Sequence, residues 1–328
     1  MRQNRLFLYC LIITALISLL ACSPPPSILE IKASDRTVFY PLLQRQVEHR
    51  SFASYDGTRL SYTFMENDSA RFAVAFIHGI AAHSLLYLPL GDSLVAAGGR
   101  VYLLDIRGHG SSDGEPGDVP DDEALAKDAH AFFMQIQSEN PKLPIVVAGH
   151  SLGTFIWESA IAKFDDIQPA GVVLLAGGMN PQDMHHDLKK LGKGFVYVHP
   201  GSLMLSTIGF HTRPIEIVLP KDSLLSAGHF NTRYTLKFLR GQRFTTAEFD
   251  HWLERTREFP VLMMVGDQDE VMSVPALRKT FQLLKARDKT LVELPGATHI
   301  SIIYESTPAM NAWLQKRFLL KKNREGLR

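Results

Sequence analysis

"PIVVAGHSLGTFIWESA", residues 144–160, opens with an apolar run, carries Ser151 between Gly149 and Gly153, and continues as helix-forming sequence. Gly-x-Ser-x-Gly alone is a permissive pattern, because only three positions are fixed. It gains meaning when a buried strand precedes it, a helix follows it, and two partner residues come later in the right order. Here "PIVVAG" supplies the strand and "LGTFIWESAIAKF" the helix. A serine on such a turn is expected to present its hydroxyl above the C-terminal edge of a sheet, at the positive end of the helix dipole. The flanking glycines make the tight turn possible.

Outward from this stretch, strands of the same type recur. "FAVAFIHG" (72–79), "RVYLLDIRGHG" (100–110), "AGVVLLAG" (170–177) and "PVLMMVGDQD" (260–269) are short and apolar, like strands buried on both faces of a parallel sheet. Helical stretches at 85–97, 123–138, 152–163, 274–286 and 308–320 alternate with them. The alternation predicts an α/β fold, a mostly parallel central sheet with helices on both faces. Asp56-Gly57, between two strand-like runs, predicts a hairpin ahead of that sheet. Residues 179–244 break the rhythm and are expected to form a cap inserted between core segments 48–178 and 245–328.

A serine hydroxyl attacks a carbonyl well only when a base takes its proton and an acid orients that base. Asp269 closes a buried strand in "VGDQDEV", and His299 follows the next strand in "LPGATH", giving the order Ser, Asp, His. Asp267 and Glu270 compete with Asp269, and twelve other histidines compete with His299, most of them away from strand ends. The oxyanion formed on attack needs preplaced N–H donors. Leu152, just after the serine, and Ile80, in the turn after "FIHG", are the expected pair. His78 and "DIRGHGSSDG" (105–114) are read as loop-shaping. His185, His186 and Asp187 are adjacent on a predicted helix and point apart, so no metal site is read there and no cofactor is expected.

The chain of 328 residues has 35 Lys and Arg against 34 Asp and Glu, a formal net charge of +1 that gives no field for nucleic acid. Its N-terminus has the form of an export signal: two arginines within residues 1–5, then the apolar run "LFLYCLIITALISLLAC" (6–22). "LLAC" resembles the lipobox of bacterial lipoproteins, which implies residues 1–21 as signal peptide, Cys22 as the lipidated N-terminus and residues 22–47 as a tether. "SPPPS" (23–27) reads as a stiff spacer, and Ser23 after the cysteine implies an outer-membrane location facing the periplasm. Loss of Cys10 with the signal leaves no pair for a disulfide.

"HGIAAHS", "LLDIRGHGSSDG", "GHSLG", "VGDQDEV" and "GATH" together resemble the monoacylglycerol lipase and lysophospholipase branch of the α/β-hydrolases, which is grouped with serine aminopeptidase-like hydrolases. The resemblance covers most of the chain from about residue 50, the cap excepted. It implies Ser151 as nucleophile, Asp269 as acid, His299 as base, and the Ile80 and Leu152 amides as oxyanion hole. The expected activity is ester hydrolysis on single-chain glycerolipids, with "FVYVHPGSLMLSTIGF" (195–210) as a candidate lining for an acyl tunnel. An aminopeptidase would instead use cap carboxylates such as Asp183, Asp187, Glu216 and Asp222 to hold a substrate ammonium. An acyltransferase would share every catalytic residue. A non-catalytic envelope protein is the reading an intact triad argues against.

Overall fold

The computed structural model describes residues 23–183, 194–222, 230–241 and 245–319. Cys22, His185, His186 and Asp187 lie outside the described residues.

An eight-stranded sheet forms the centre. A hairpin, β1 (Glu48–Ala53) and β2 (Arg59–Met65), pairs antiparallel through the Asp56-Gly57 turn. Then come β3 (Phe72–Ile77), β4 (Gly99–Leu104), β5 (Ile145–His150), β6 (Gly171–Leu175), β10 (Val261–Gly266) and β11 (Lys289–Leu294), in spatial order β1-β2-β4-β3-β5-β6-β10-β11. All pairs from β4 to β11 are parallel.

Period-two geometry divides each buried strand between two cores. In β3, Phe72, Val74 and Phe76 face one side and Ala73, Ala75 and Ile77 the other. The first side packs on α2 (Leu88–Ala96), α9 (Ile302–Glu305) and α10 (Thr307–Phe318). The second packs on α3 (Ala124–Glu139), α4 (Leu152–Lys163), α7 (Thr246–Arg255) and α8 (Val274–Leu283). The helix expected at 85–97 splits into a 3-10 turn, Ser84–Tyr87, and α2, because Pro89 starts the α-helix afresh.

Between β6 and α7 lie α5 (Pro200–Thr207), α6 (Leu236–Arg240) and a small antiparallel sheet of β7 (Val196–Val198), β8 (Ile215–Ile217) and β9 (Arg233–Tyr234). Asp118 ties this region to the core, accepting from Thr235 Oγ1 at 2.6 Å and His211 Nε2 at 2.8 Å.

The segment expected to be a tether is packed instead. From Ser27 the chain lies against the body, and α1 (Ala33–Phe39) buries Phe39 completely. Only residues 23–26 remain for a spacer. Leu29, Ile31, Val38 and Phe39 supply the apolar surface that holds the segment down, and their irregular spacing hid it in the sequence.

Inside α4, Glu158 is fully buried and has no hydrogen-bond partner among the described residues. Burial raises its pKa well above the usual value, so the folded protein keeps a proton that the unfolded chain releases. Stability is therefore lost as pH rises from about 4.5 toward the folded pKa, at about 1.4 kcal/mol per pH unit. Glu158→Gln is expected to melt above wild type at pH 8, the gap closing toward pH 4.5. A gap independent of pH, read by thermal unfolding, would contradict this.

Candidate active site

The serine sits where topology reverses. The chain runs from β3 outward to β4, then returns to place β5 on the other side of β3. The crevice at such a switch point, beyond the C-terminal strand ends, is where open α/β sheets hold their ligands. Register pairs Ile77 with Gly149, so the loop after β3 and the turn after β5 leave the sheet side by side.

Strand β5 ends at His150 and α4 starts at Leu152, so Ser151 alone makes the turn, at φ 51° and ψ −116°. That conformation costs a non-glycine residue about 1–3 kcal/mol and persists only where its surroundings over-determine it. Here the glycines do so by permitting contact. A Cβ on Gly149 would stand 2.4 Å from the Gly153 carbonyl carbon, and one on Gly153 2.0 Å from the Ile77 oxygen. The Ser151 N–H donates to the Leu175 oxygen at 2.9 Å.

Asp269 and His299 arrive from the loops after β10 and β11. Each Asp269 carboxylate oxygen lies 3.0 Å from His299 Nδ1. Carboxylate oxygens accept, so Nδ1 carries the proton and Nε2 is left with its lone pair. The competing acids are otherwise engaged. Asp267 accepts the Gly296 N–H at 2.7 Å. Glu270 accepts the His299 N–H at 2.9 Å and the Glu30 N–H at 2.7 Å.

In the loop after β3, the Gly79 N–H donates to Tyr87 Oη and the Ala81 N–H to Tyr234 Oη, each at 2.9 Å. Among the described residues, the Ile80 and Leu152 N–H groups between and beside these have no acceptor. A directional chain links this loop to the His299 backbone. The Tyr87 hydroxyl, already accepting from Gly79, donates to His150 Nδ1 at 2.8 Å, and His150 Nε2–H donates to the His299 oxygen at 3.1 Å. Burial holds the His150 pKa well below its usual value, which keeps the ring neutral and this tautomer in place.

A profile of the serine aminopeptidase, S33 family (Hydrolase_4) matches residues 68–306. The chain belongs to the serine aminopeptidase S33 family. A monoacylglycerol lipase of Mycolicibacterium smegmatis is 36% identical over 137 residues, 42% of this chain and 48% of that relative. The human monoglyceride lipase is 24% identical over 280 residues, 80% of this chain and 88% of that protein. Among solved structures, a soluble variant of the Saccharomyces cerevisiae monoglyceride lipase superposes with TM-score 0.64 at 18% identity, covering 84% of this chain and 97% of that one. The fold is therefore the α/β-hydrolase fold, and this is a hydrolase family resembling monoglyceride lipases and esterases.

In this S33-family chain Ser151 and His299 line one pocket, about 40 Å³ in volume and partly open to solvent. Its other walls are apolar, among them Leu29, Ile80, Phe195, Ile217 and Phe230. Of the stretch expected to line an acyl tunnel, Phe195 does so, whereas Val198, Met204, Ile208 and Phe210 are exposed. The described cap carboxylates have cationic neighbours: Lys279 for Asp183, Arg233 for Glu216, and Arg36 for Asp222. Among the described residues no group of His, Cys, Asp and Glu is placed to hold a metal.

His78 and Asp105 shape loops. His78 Nδ1–H donates to the Gly79 oxygen at 2.7 Å and Nε2 accepts from Ile106 N–H at 3.1 Å, with burial pushing its pKa down to about 3. Asp105 accepts the N–H groups of Ser84 and Ser111. Sequence reading missed Tyr87, His150, Tyr234 and Glu270 as supports. His150 had a visible signal, its place beside Ser151. Tyr234 had none, because it meets Ala81 across 153 residues of chain.

Proposed function

We propose that the protein is a serine hydrolase that cleaves carboxylic esters through an acyl-enzyme on Ser151, with His299 as base, Asp269 as its orienting acid and the Ile80 and Leu152 amides as oxyanion hole. The observation that carries this reading is the Asp269–His299 pair, whose histidine lines one apolar pocket together with a serine on a strained turn. In the first step Ser151 Oγ attacks the carbonyl carbon while His299 Nε2 takes its proton. The carbonyl oxygen becomes an oxyanion facing the two free N–H groups, an arrangement worth several kcal/mol elsewhere when one donor is removed. The ester C–O bond then breaks as the imidazolium returns its proton to the departing alcohol. Water, deprotonated by the same nitrogen, releases the acid and restores the serine.

The substrates proposed are monoacylglycerols or lysophospholipids. Apolar pocket walls suit one acyl chain, and the named relatives are monoacylglycerol and monoglyceride lipases. Among the described residues no carboxylate lines the pocket, whose walls are those expected for an ester with an apolar acyl chain rather than a substrate ammonium. An activated serine also attacks phosphorus, so a fluorophosphonate probe should label the protein and labelling should vanish in Ser151→Ala. Label persisting on that variant would place the nucleophile elsewhere.

The location is proposed from the sequence alone: export from the N-terminal arginines and apolar run, lipidation at Cys22 from "LLAC", and residence at the outer membrane facing the periplasm from Ser23. The acyl chains of a lipoprotein cysteine, two or more, anchor stably where one does not. Palmitate supplied to cells should label the wild type and not Cys22→Ser. Equal label on both, or none on either, would restore an ordinary signal or anchor.

A further inference from the structure

The N-terminal segment does more than link the core to its signal. Ser27 Oγ donates to the Val218 oxygen at 2.6 Å and accepts the Leu29 N–H at 3.1 Å. The Ile28 N–H donates to the Gly194 oxygen at 2.9 Å. These bonds fasten the segment to the region between β6 and α7. On its other side it grips the loops that carry the acid and the base. Glu270 accepts the Glu30 N–H with one carboxylate oxygen and the His299 N–H with the other, and Lys32 Nζ donates to the Gly296 oxygen at 2.5 Å. Residues 27–32 thus form a strap from cap to catalytic loop.

Leu29 is the strap residue that turns inward. It is 7% exposed, packs in the same core as Phe195 and Ile217, and lines the pocket that holds Ser151 and His299. We propose that Leu29 is a specificity-determining residue, a wall of the acyl subsite supplied from outside the catalytic core, which limits the length of acyl chain accepted. The inference rests on the ester-hydrolase reading of the same site. It is the acyl chain rather than the alcohol that meets this wall, because a glycerol or phosphoglycerol group would find no polar partner on Leu29, Phe195 or Ile217. Because the strap is held by hydrogen bonds on both sides, the wall is fixed in place and cannot yield cheaply to a longer chain.

The test uses the full-length protein in detergent and a series of p-nitrophenyl esters from butyrate to dodecanoate. One methylene in an apolar pocket changes kcat/KM by roughly 10–200-fold. Leu29→Ala should therefore raise the dodecanoate-to-butyrate ratio of kcat/KM by about tenfold or more, and Leu29→Trp should lower it by about tenfold. Because the two variants push the ratio in opposite directions, a general loss of folding cannot produce both results. If both variants keep the wild-type ratio while turnover still depends on Ser151, the strap is filling and the inference is overturned, with the hydrolase reading intact. If the wild type shows no Ser151-dependent turnover of any ester in the series, both fall together.

Discussion

The structure depends on a close approach of backbones at one point. Gly153, in the first turn of α4, lies so near the Ile77 carbonyl that no side chain fits between them. Gly149 meets Gly153 in the same way. That contact brings the end of β3 and the start of α4 together, and the left-handed conformation of Ser151 follows from it. One contact therefore sets three things: the turn on which Ser151 sits, the direction of the helix dipole beneath it, and the adjacency of the loop after β3 to the turn after β5. A methyl group at either glycine would disturb all three.

Around that point the remaining parts are held by polar groups with defined direction. The Asp269 carboxylate fixes the His299 tautomer and also accepts the Val271 and Met272 N–H groups, which anchors the loop after β10. Tyr87 and His150 pass a hydrogen-bond direction from the loop after β3 to the His299 backbone. Tyr234 reaches the same loop from the small sheet and, through the Ala81 N–H, helps hold a residue at φ 62°. The region between β6 and α7 and the N-terminal strap are thus tied into the geometry of the site, although neither supplies an acid, base or nucleophile.

Much of this was legible in the sequence, for a physical reason. Strands buried on both faces must be apolar without interruption, and residues at their C-terminal ends must share one edge. That logic placed Ser151, Asp269 and His299 together, and it placed α4 at 152–163, where the structure has it. It was blind where partners are far apart in the chain and where packing is irregular. The strap begins where the Pro-rich stretch 24–26 ends, and "SILEIK" (27–32) is too short to announce a packed element; only its contacts with Gly194, Val218 and Glu270 reveal it as part of the site. The cap stretch 195–210 misled in the opposite sense. Its apolar residues suggested a tunnel, but several face outward while Ile217 and Phe230, from beyond the stretch, line the pocket.

The central claim is that Ser151 carries the acyl group during turnover. Rapid acid quench during the first turnover of a p-nitrophenyl ester, followed by tryptic digestion and mass spectrometry, reads this directly, because cleavage after Lys142 and Lys163 isolates the serine in one peptide. The account predicts that peptide with one added acyl mass, located on Ser151 by fragmentation. Acyl mass on another residue, or steady turnover with no acylated peptide at any quench time, would contradict it.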